Sequence, residues 1–270
     1  MPEVIVKVKD FPEKFREEMV RYFSHSMICL GYTKPEKKQL TPCGSGTLVR
    51  RDDVYGILTA AHVVNALRTK EHVVMFLQTG LGFIVFEKGT LDFRECAGAN
   101  YAEDGPDIGF IGVPAARVGT INALKSFIDL DFQRSKLDKG APELNGGVWC
   151  TTGFPYALGD QKMDGKILHT TVFGMVGFGG VEQYIEHGRF DYYLAGVELD
   201  IDESIPEDFG GMSGSGLWQV TICQQGDDIV AVDKYLSGVA YFQTDIKDDV
   251  TFLKCHGRKS VYEYVMPELM

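Results

Sequence analysis

The amino-acid sequence predicts a mostly β protein. Short apolar runs alternate with charged or turn-forming residues along most of the chain, and 31 of its 270 residues are glycine. β-Barrels and β-sandwiches need a tight turn about every ten residues, and this pattern supplies such turns. With 44% hydrophobic and 24% charged residues, the chain is long enough for one large β domain or two packed subdomains with a substantial core.

A short helix is predicted near the N-terminus, within an extension that covers residues 1–26. Asp10 precedes Pro12 and Glu13, which is the order of an N-cap, a first-turn proline and a capping-box acid. Apolar residues then recur at helical spacing, namely Phe15, Met19, Val20 and Phe23. We expect this helix to pack on the back of the domain rather than to bind a partner.

The first β subdomain is predicted over residues 27–130. Its expected strands are bounded by charged or turn residues and cover 27–32, 46–49, 56–59, 73–77 and 107–113. Residues 60–67 predict one or two helical turns that begin where His62 stands. The polar, weakly patterned stretch 131–142 is the predicted linker to the second half.

The second β subdomain is predicted over residues 143–270. A hairpin over 159–173 is expected to turn at Asp164-Gly165, a dipeptide that tolerates positive φ angles. The other expected strands are 147–152, 194–199, 216–222, 229–232 and 236–244, and a closing helix is expected over 260–266.

Charge and hydropathy exclude several partners. The net charge is −11 with the acidic residues spread along the chain, which disfavours binding to a phosphate backbone, so no nucleic acid is expected. No apolar run of about 18 residues appears, so no membrane span is expected. The start of the sequence lacks the pattern of a secretory signal, which predicts a cytoplasmic location.

The six cysteines predict reduced thiols. They stand at positions 29, 43, 96, 150, 223 and 255, without the close spacing of a metal or redox motif. A chain of this size does not need disulfides for stability. We expect most of the thiols to be buried, and we expect no metal.

Three short segments carry the candidate chemistry. They are Leu58-Thr59-Ala60-Ala61-His62, Asp107-Ile108-Gly109-Phe110 and Gly211-Met212-Ser213-Gly214-Ser215. Serine is a weak nucleophile until a neighbouring imidazole takes its proton, and a carboxylate can orient that imidazole. The chain order His, Asp, Ser is that of the double β-barrel proteases.

At these segments the chain resembles the trypsin-like, chymotrypsin-fold serine proteases. Gly-x-Leu-Val ahead of Leu-Thr-Ala-Ala-His, Asp-Ile-x-Phe and Gly-x-Ser-Gly follow the family's spacing. Gly153-Phe154-Pro155 resembles a turn of bacterial members, which suggests a bacterial-type intracellular one. The resemblance implies two antiparallel Greek-key β-barrels, the first carrying His62 and Asp107 and the second carrying Ser213.

The resemblance also implies a role for each site residue. His62 is expected to be the general base, Asp107 its orienting partner and Ser213 the nucleophile, while the backbone N–H groups of Gly211 and Ser213 form the oxyanion hole. Asp104 competes with Asp107 for the acidic role, but only Asp107 directly begins an apolar strand. The other five histidines, at positions 25, 72, 169, 187 and 256, are assigned no chemistry.

The substrate pocket is expected to involve Glu207, Tyr241 and Phe242. By the family alignment Glu207 falls near the base of the pocket, where an inward carboxylate favours Lys or Arg before the scissile bond. Phe242 stands at a wall position, where its ring narrows the pocket and favours a small residue instead. Glu207 can equally be an exposed acid beside Asp208, so the sequence leaves the preference open.

Two departures from the family bear on compartment and control. Val63 follows His62 where secreted members carry the cysteine that would pair with Cys43, which fits a reducing compartment. Met212 replaces the aspartate that zymogen-activated members carry before the nucleophile, so activation by that clipping mechanism is not expected.

The sequence therefore predicts a selective intracellular serine endopeptidase that works through an acyl-enzyme. It needs no cofactor, and its expected partners are a protein or peptide substrate and a regulatory protein. Activity is expected to fall in acid as the general base becomes protonated. The alternative is a catalytically silent protease-like module that binds peptides or a partner protein in its cleft.

Overall fold

The chain is described by a computed structural model that covers residues 10–34, 39–78, 82–98, 105–164, 167–198, 205–226 and 228–269. The described part is mostly β, with two large sheets whose strands pair antiparallel apart from one short parallel pair, and a separate two-stranded hairpin. The predicted mostly β class is therefore confirmed.

The first sheet comes from the first half of the chain. Its strands are β1 (Met27–Lys34), β2 (Gln39–Arg51), β3 (Val54–Thr59), β4 (His72–Gln78), β5 (Gly82–Glu87), β6 (Asp92–Ala97), β7 (Ile108–Gly112) and β8 (Ile128–Asp129). The order is β5-β4-β1-β2-β3-β7-β6, and β8 pairs parallel with β2. All five predicted strands are present, and β5, β6 and β8 are additional.

The second sheet comes from the second half of the chain. Its strands are β9 (Val148–Gly153), β12 (Met175–Gly179), β13 (Val181–His187), β14 (Phe190–Glu198), β15 (Gly216–Gln225), β16 (Asp228–Gln243) and β17 (Val250–His256). The order is β12-β9-β15-β16-β17-β14-β13. Among the described strands, the pairing in each sheet runs as an open path with two edge strands.

Two predictions in the second half need comment. The hairpin consists of β10 (Asp160–Asp164) and β11 (Ile167–Thr171) as predicted, but Gly165 of its predicted turn lies outside the described residues. The separate strands predicted at 229–232 and 236–244 are wrong, because both belong to β16. The charged residues between them continue the strand, with the Asp233 carboxylate 2.7 Å from the Lys136 ammonium.

The described residues form four α-helices, α1 (Glu13–Ser24), α2 (Ala61–Arg68), α3 (Ala115–Asn122) and α4 (Leu130–Gly140). The predicted linker 131–142 connects the two sheets, but most of it is the helix α4, which begins at the Asp129 cap with its side chain accepting from the Phe132 N–H. The predicted closing helix is present as Ser260–Val265, with π geometry, followed by the 3-10 turn Met266–Leu269.

Helix α1 contacts the second sheet although it lies at the N-terminus. Phe15, Met19 and Phe23 are buried as the helical spacing predicts, and the Phe23 ring centroid is 5.0 Å from that of Trp218 on β15. Two details of the prediction are wrong. Asp10 does not cap the helix, because the helix begins at Glu13 and Pro12 occupies the N-cap without a side-chain hydrogen bond. Val20, which follows the apolar spacing, is 44% exposed.

The turn from β17 into the closing helix is held by one buried carboxylate. Asp191 accepts hydrogen bonds from the N–H groups of Ser260 at 2.7 Å and Lys259 at 3.1 Å, and its backbone oxygen accepts from the Gly257 N–H at 2.8 Å. A carboxylate at a helix N-terminus satisfies N–H groups that have no partner within the helix. The end of β17, including His256, is thereby fixed.

None of the described helices has both the length and the apolar character that crossing a membrane requires.

Candidate active site

His62 and Asp107 form the first pair of the site. The His62 Nδ1 atom lies 2.5 Å from the Asp107 Oδ2 atom, and the His62 backbone N–H donates to Asp107 Oδ1 at 2.9 Å. The Asp107 side chain is buried and the imidazole is 18% exposed. Because an ionised carboxylate only accepts hydrogen bonds, Nδ1 of the pair carries the proton and, in the neutral ring, Nε2 is the acceptor.

The local fold explains why these residues meet. His62 is the second residue of α2, and a backbone N–H in the first turn of a helix has no partner within that helix. Asp107 immediately precedes β7, which pairs with β3, the strand that leads into α2. The Asp107 carboxylate therefore accepts from the His62 backbone N–H and also orients the His62 imidazole. Asp104, the competing acid, lies outside the described residues.

Ser213 lies on a tight loop between β14 and β15, residues 208–215, which we call the nucleophile loop after the role that the sequence predicts for Ser213. Its backbone is anchored on both sides. The Ser213 oxygen accepts from the Ser45 N–H at 2.8 Å on the first sheet, and the Gly214 N–H donates to Ala240 O at 2.7 Å on the second. The loop is thereby held where the two halves of the chain meet.

Two N–H groups of this loop point away from its anchors. The Gly210 oxygen accepts from the Tyr156 N–H at 2.7 Å and the Met212 oxygen from the Ser215 N–H at 2.8 Å. In a trans peptide the N–H points opposite to the C=O, so the N–H groups of Gly211 and Ser213 face the other way. Neither of them donates to a protein acceptor within the described ranges. They are free to bind an oxygen atom that carries negative charge.

The loop conformation requires glycine at two positions. Gly211 has φ +94° and Gly214 has φ +91°, a region that L side chains rarely adopt. A Cβ at Gly211 would lie 2.6 Å from the Phe154 oxygen, and one at Gly214 would lie 2.0 Å from the Ser45 oxygen. Glycine is therefore needed at positions 211 and 214, on either side of Met212-Ser213, for the backbone to adopt this conformation.

One open cavity of about 290 Å³ joins the predicted site residues. His62, Asp107 and Ser213 all line it, together with Tyr241 and Phe242 of the predicted pocket. Its remaining lining residues, which the sequence did not single out, are Asp208, Phe209, Gly210 and Gln243. The structure thus brings three residues separated by up to 151 positions to one cleft.

Glu207 is not part of this lining. Its side chain is exposed, and its backbone oxygen accepts from the Gln243 side-chain amide at 2.8 Å. The assignment of Glu207 to the base of the pocket stays a prediction of the resemblance; of the two adjacent acids, Asp208 is the one that lines this cavity. Gln243 also accepts from the Phe209 N–H at 2.9 Å, so its side chain ties the nucleophile loop to β16.

His256 is a site neighbour to which the sequence assigned no chemistry. It is fully buried, and its Nε2 atom accepts from the Asp107 backbone N–H at 2.8 Å. Its ring packs among Phe190, Tyr192 and Tyr241, with centroid distances of 5.0 to 5.8 Å. Nothing in the sequence near position 256 indicates this contact, which arises from the pairing of β17 with β14 and β16.

The cysteine next to the site does not offer a second nucleophile. None of the six cysteines is paired with another. Cys43 precedes Gly44, which packs against Val63 and the backbone of Ser213, and burial raises the pKa of its thiol to about 11 despite the nearby Lys70. A thiol with so high a pKa is protonated at neutral pH and reacts slowly.

Ser45 supports the nucleophile loop from the first sheet, and its loss is expected to cost stability. The buried hydroxyl donates to the Gly211 oxygen at 2.7 Å and accepts from the Phe154 N–H at 2.9 Å. Ser45→Ala leaves both groups without that partner, which is expected to lower the free energy of unfolding by roughly 1–3 kcal/mol. The measurement is urea denaturation of this variant and of a control, Ser24→Ala, whose exposed hydroxyl donates only within α1. Equal midpoints for the two variants would contradict the supporting role of Ser45.

His256 is expected to make the fold sensitive to acid. Burial lowers its pKa to about 3, an effect that the negative charge of Asp107 opposes only in part. A histidine in the unfolded chain titrates near ~6.5, so between these values the unfolded state binds a proton that the folded state does not. The free energy of unfolding contributed by this residue therefore falls as the pH falls, by about 2 kcal/mol between pH 7 and pH 5.

This acid effect is measured by urea denaturation at both pH values. His256→Gln cannot titrate, so it is expected to lose less stability than the wild type on going from pH 7 to pH 5. His25→Gln, a substitution of an exposed histidine, serves as the control. If His256→Gln loses as much free energy of unfolding between pH 7 and pH 5 as the wild type does, His256 is not the group responsible.

No protein-family model and no curated protein sequence matches this chain.

Proposed function

We propose that this protein is a serine endopeptidase with His62, Asp107 and Ser213 as its catalytic triad. The observation that carries the proposal is that two groups line the same cavity: the His62 imidazole, which Asp107 orients, and Ser213, which lies on the nucleophile loop. The two sheets are proposed to correspond to the two Greek-key barrels of a trypsin-like, chymotrypsin-fold protease. A bacterial-type, cytoplasmic member remains our expectation.

In the proposed mechanism the Ser213 Oγ atom attacks the carbonyl carbon of a peptide bond. His62 Nε2 takes the hydroxyl proton, while Asp107 stabilises the imidazolium through the hydrogen bond at Nδ1. The C–N bond then breaks as His62 returns the proton to the leaving amine. Water, deprotonated by His62, then attacks the acyl carbon. The C–O bond to Ser213 breaks as the His62 imidazolium returns this proton to Oγ, which releases the acid and restores the Ser213 hydroxyl.

The two N–H groups of Gly211 and Ser213 are proposed to form the oxyanion hole. They have no protein acceptor in the described part of the chain, and both peptide planes are held by hydrogen bonds on their carbonyl side. Donors that are already oriented need no reorganisation when charge develops on the substrate oxygen. Such a pair typically contributes about two to three orders of magnitude in rate for each donor.

For substrate preference, the cavity favours an uncharged residue before the scissile bond. Phe209, Tyr241 and Phe242 contribute aromatic walls, and Glu207 lies outside the lining. Among the described residues, the only carboxylate besides Asp107 that lines the cavity belongs to Asp208, which is exposed and accepts from the Gly210 N–H at 2.7 Å. A carboxylate in contact with water attracts a substrate cation only weakly.

The experiment is cleavage of a proteome-derived peptide library, with cut sites identified by mass spectrometry. We expect cuts after uncharged residues that are absent with Ser213→Ala. Cuts after Lys or Arg that depend on Ser213 would support the enzyme but overturn the preference, and Asp208→Asn would then test the source of that preference. Binding of library peptides without cleavage would instead support the silent module.

A further inference from the structure

A buried histidine outside the triad contacts the backbone of the triad aspartate. His256 lies at the end of β17 in the second sheet, and Asp107 precedes β7 in the first, 149 positions away. Their single hydrogen bond, from the Asp107 N–H to His256 Nε2 at 2.8 Å, is one of the direct contacts between the two halves next to the site.

This hydrogen bond fixes the tautomer of His256. An N–H donor requires an unprotonated acceptor, so Nε2 carries no proton and the neutral ring carries its proton on Nδ1. The charged and titratable groups that face the ring are Asp107 from the start of β7, Tyr192 from β14 and Tyr241 from β16. Burial lowers the pKa of His256 to about 3, which keeps the ring neutral at physiological pH.

We propose that His256 is the positioning residue of the triad: its Nε2 atom holds the Asp107 backbone so that both carboxylate oxygens face His62. The proposal rests on the function proposed above. Asp107 precedes the first residue of β7, so the sheet does not hold its N–H, and His256 supplies the acceptor. A buried N–H that loses its partner is costly, and the backbone would shift to find another.

His256 is itself held rigidly enough for this task. Its backbone pairs with Tyr192 on β14 and Val239 on β16, and the following Gly257 N–H donates to Asp191 O. The aromatic rings around the imidazole leave it no exposed surface. The position of Asp107 is thus determined by both halves of the chain, and the His62–Asp107 pair forms correctly only when the halves are docked.

The test compares two substitutions of His256 that separate its role as a hydrogen-bond acceptor from the shape of its ring. His256→Phe keeps an aromatic ring in the cluster but has no acceptor, whereas His256→Gln replaces the ring but can place its amide oxygen near Nε2. We expect the second-order rate of labelling by a fluorophosphonate to fall roughly 10²-fold in His256→Phe. We expect His256→Gln to recover most of that loss, even though it disturbs the packing more.

A spectroscopic readout separates this inference from the proposed function. The short hydrogen bond between His62 Nδ1 and Asp107 is expected to give a far-downfield proton resonance in the wild type and in Ser213→Ala, which cannot react. That resonance is expected to persist in His256→Gln and to disappear in His256→Phe. A wild type that fails to label but shows this pattern would refute the enzyme and leave the positioning role supported.

Two results would overturn the proposal. One is a His256→Phe variant with an unchanged resonance and labelling rate, which would show that Asp107 does not need the acceptor. The other is a wild-type ¹⁵N spectrum in which His256 carries its proton on Nε2. The second measurement needs no variant, so it decides the matter even where His256→Phe does not fold.

Discussion

Replacement of Ser213 by alanine is expected to abolish covalent labelling by a fluorophosphonate and to lower peptide hydrolysis by four orders of magnitude or more, roughly the effect of removing a serine nucleophile. The reason is that in the proposed mechanism the Ser213 hydroxyl supplies the bond-forming oxygen, and Ser213 is the only serine or threonine among the described residues that line the cavity. The measurement is the labelling rate at matched concentrations of wild type and variant.

The matched control is Ser215→Ala. Ser215 lies two residues along the same loop, is fully buried, and its hydroxyl donates to the Met212 sulfur at 3.5 Å. We expect this variant to keep most of the wild-type rate. Equal labelling of Ser213→Ala and wild type, or equal losses in the two variants, would remove Ser213 from the role of nucleophile.

Asp107→Asn is expected to lower the rate of acylation by about 10⁴-fold. The carboxylate of Asp107 accepts two hydrogen bonds from His62, one from the backbone N–H and one from Nδ1. An amide offers only one acceptor oxygen. If the oxygen stays with the backbone N–H, the NH₂ group faces Nδ1 and forces the proton to Nε2, where it blocks transfer from Ser213.

The labelling rate of Asp107→Asn is to be compared with that of Asp92→Asn. Asp92 lies exposed on β6 and its carboxylate bonds to Arg94 at 2.7 Å, so it shares the change of charge but not the site. Asp92→Asn is expected to react like the wild type. A rate for Asp107→Asn within a few-fold of the control would contradict the orienting role of the carboxylate.

The strands that the sequence predicted are those with continuous apolar runs. β3 and β7 are buried along most of their length and were found from pattern alone. β13 lies at a sheet edge and exposes six of its seven side chains, so its sequence lacks a hydrophobic run. Its strand conformation comes from pairing with a neighbour, which only the folded chain supplies.

The same distinction applies to the candidate site. His62, Asp107 and Ser213 stand in local motifs with a chemical meaning, so the sequence singled out all three, and each of them lines the cavity. His256 contributes through one hydrogen bond and the Ser45 hydroxyl through two, all of them to residues more than a hundred positions away. No local pattern marks such a contact, because its geometry depends on how the two sheets dock.

Glu207 and Asp208 show that aligning a loop with a family does not determine which of its side chains lines the cavity. Two adjacent acids point to different sides, and which one faces the cleft depends on the local backbone. Here Gln243 bonds to the Glu207 oxygen and the Phe209 N–H, while the Asp208 carboxylate caps the Gly210 N–H. Both acids are exposed and only Asp208 lines the cavity, so a shift of one residue changes which acid meets the cleft.

The most direct test of the catalytic site is to locate the fluorophosphonate adduct on the native protein. The wild type is labelled, digested and analysed by mass spectrometry, with heat-denatured protein as the control for nonspecific reaction. We predict one adduct per chain, on Ser213, that is lost on denaturation before labelling. An adduct on another residue, or no adduct on the native protein, would contradict the assignment of His62, Asp107 and Ser213 as a working triad.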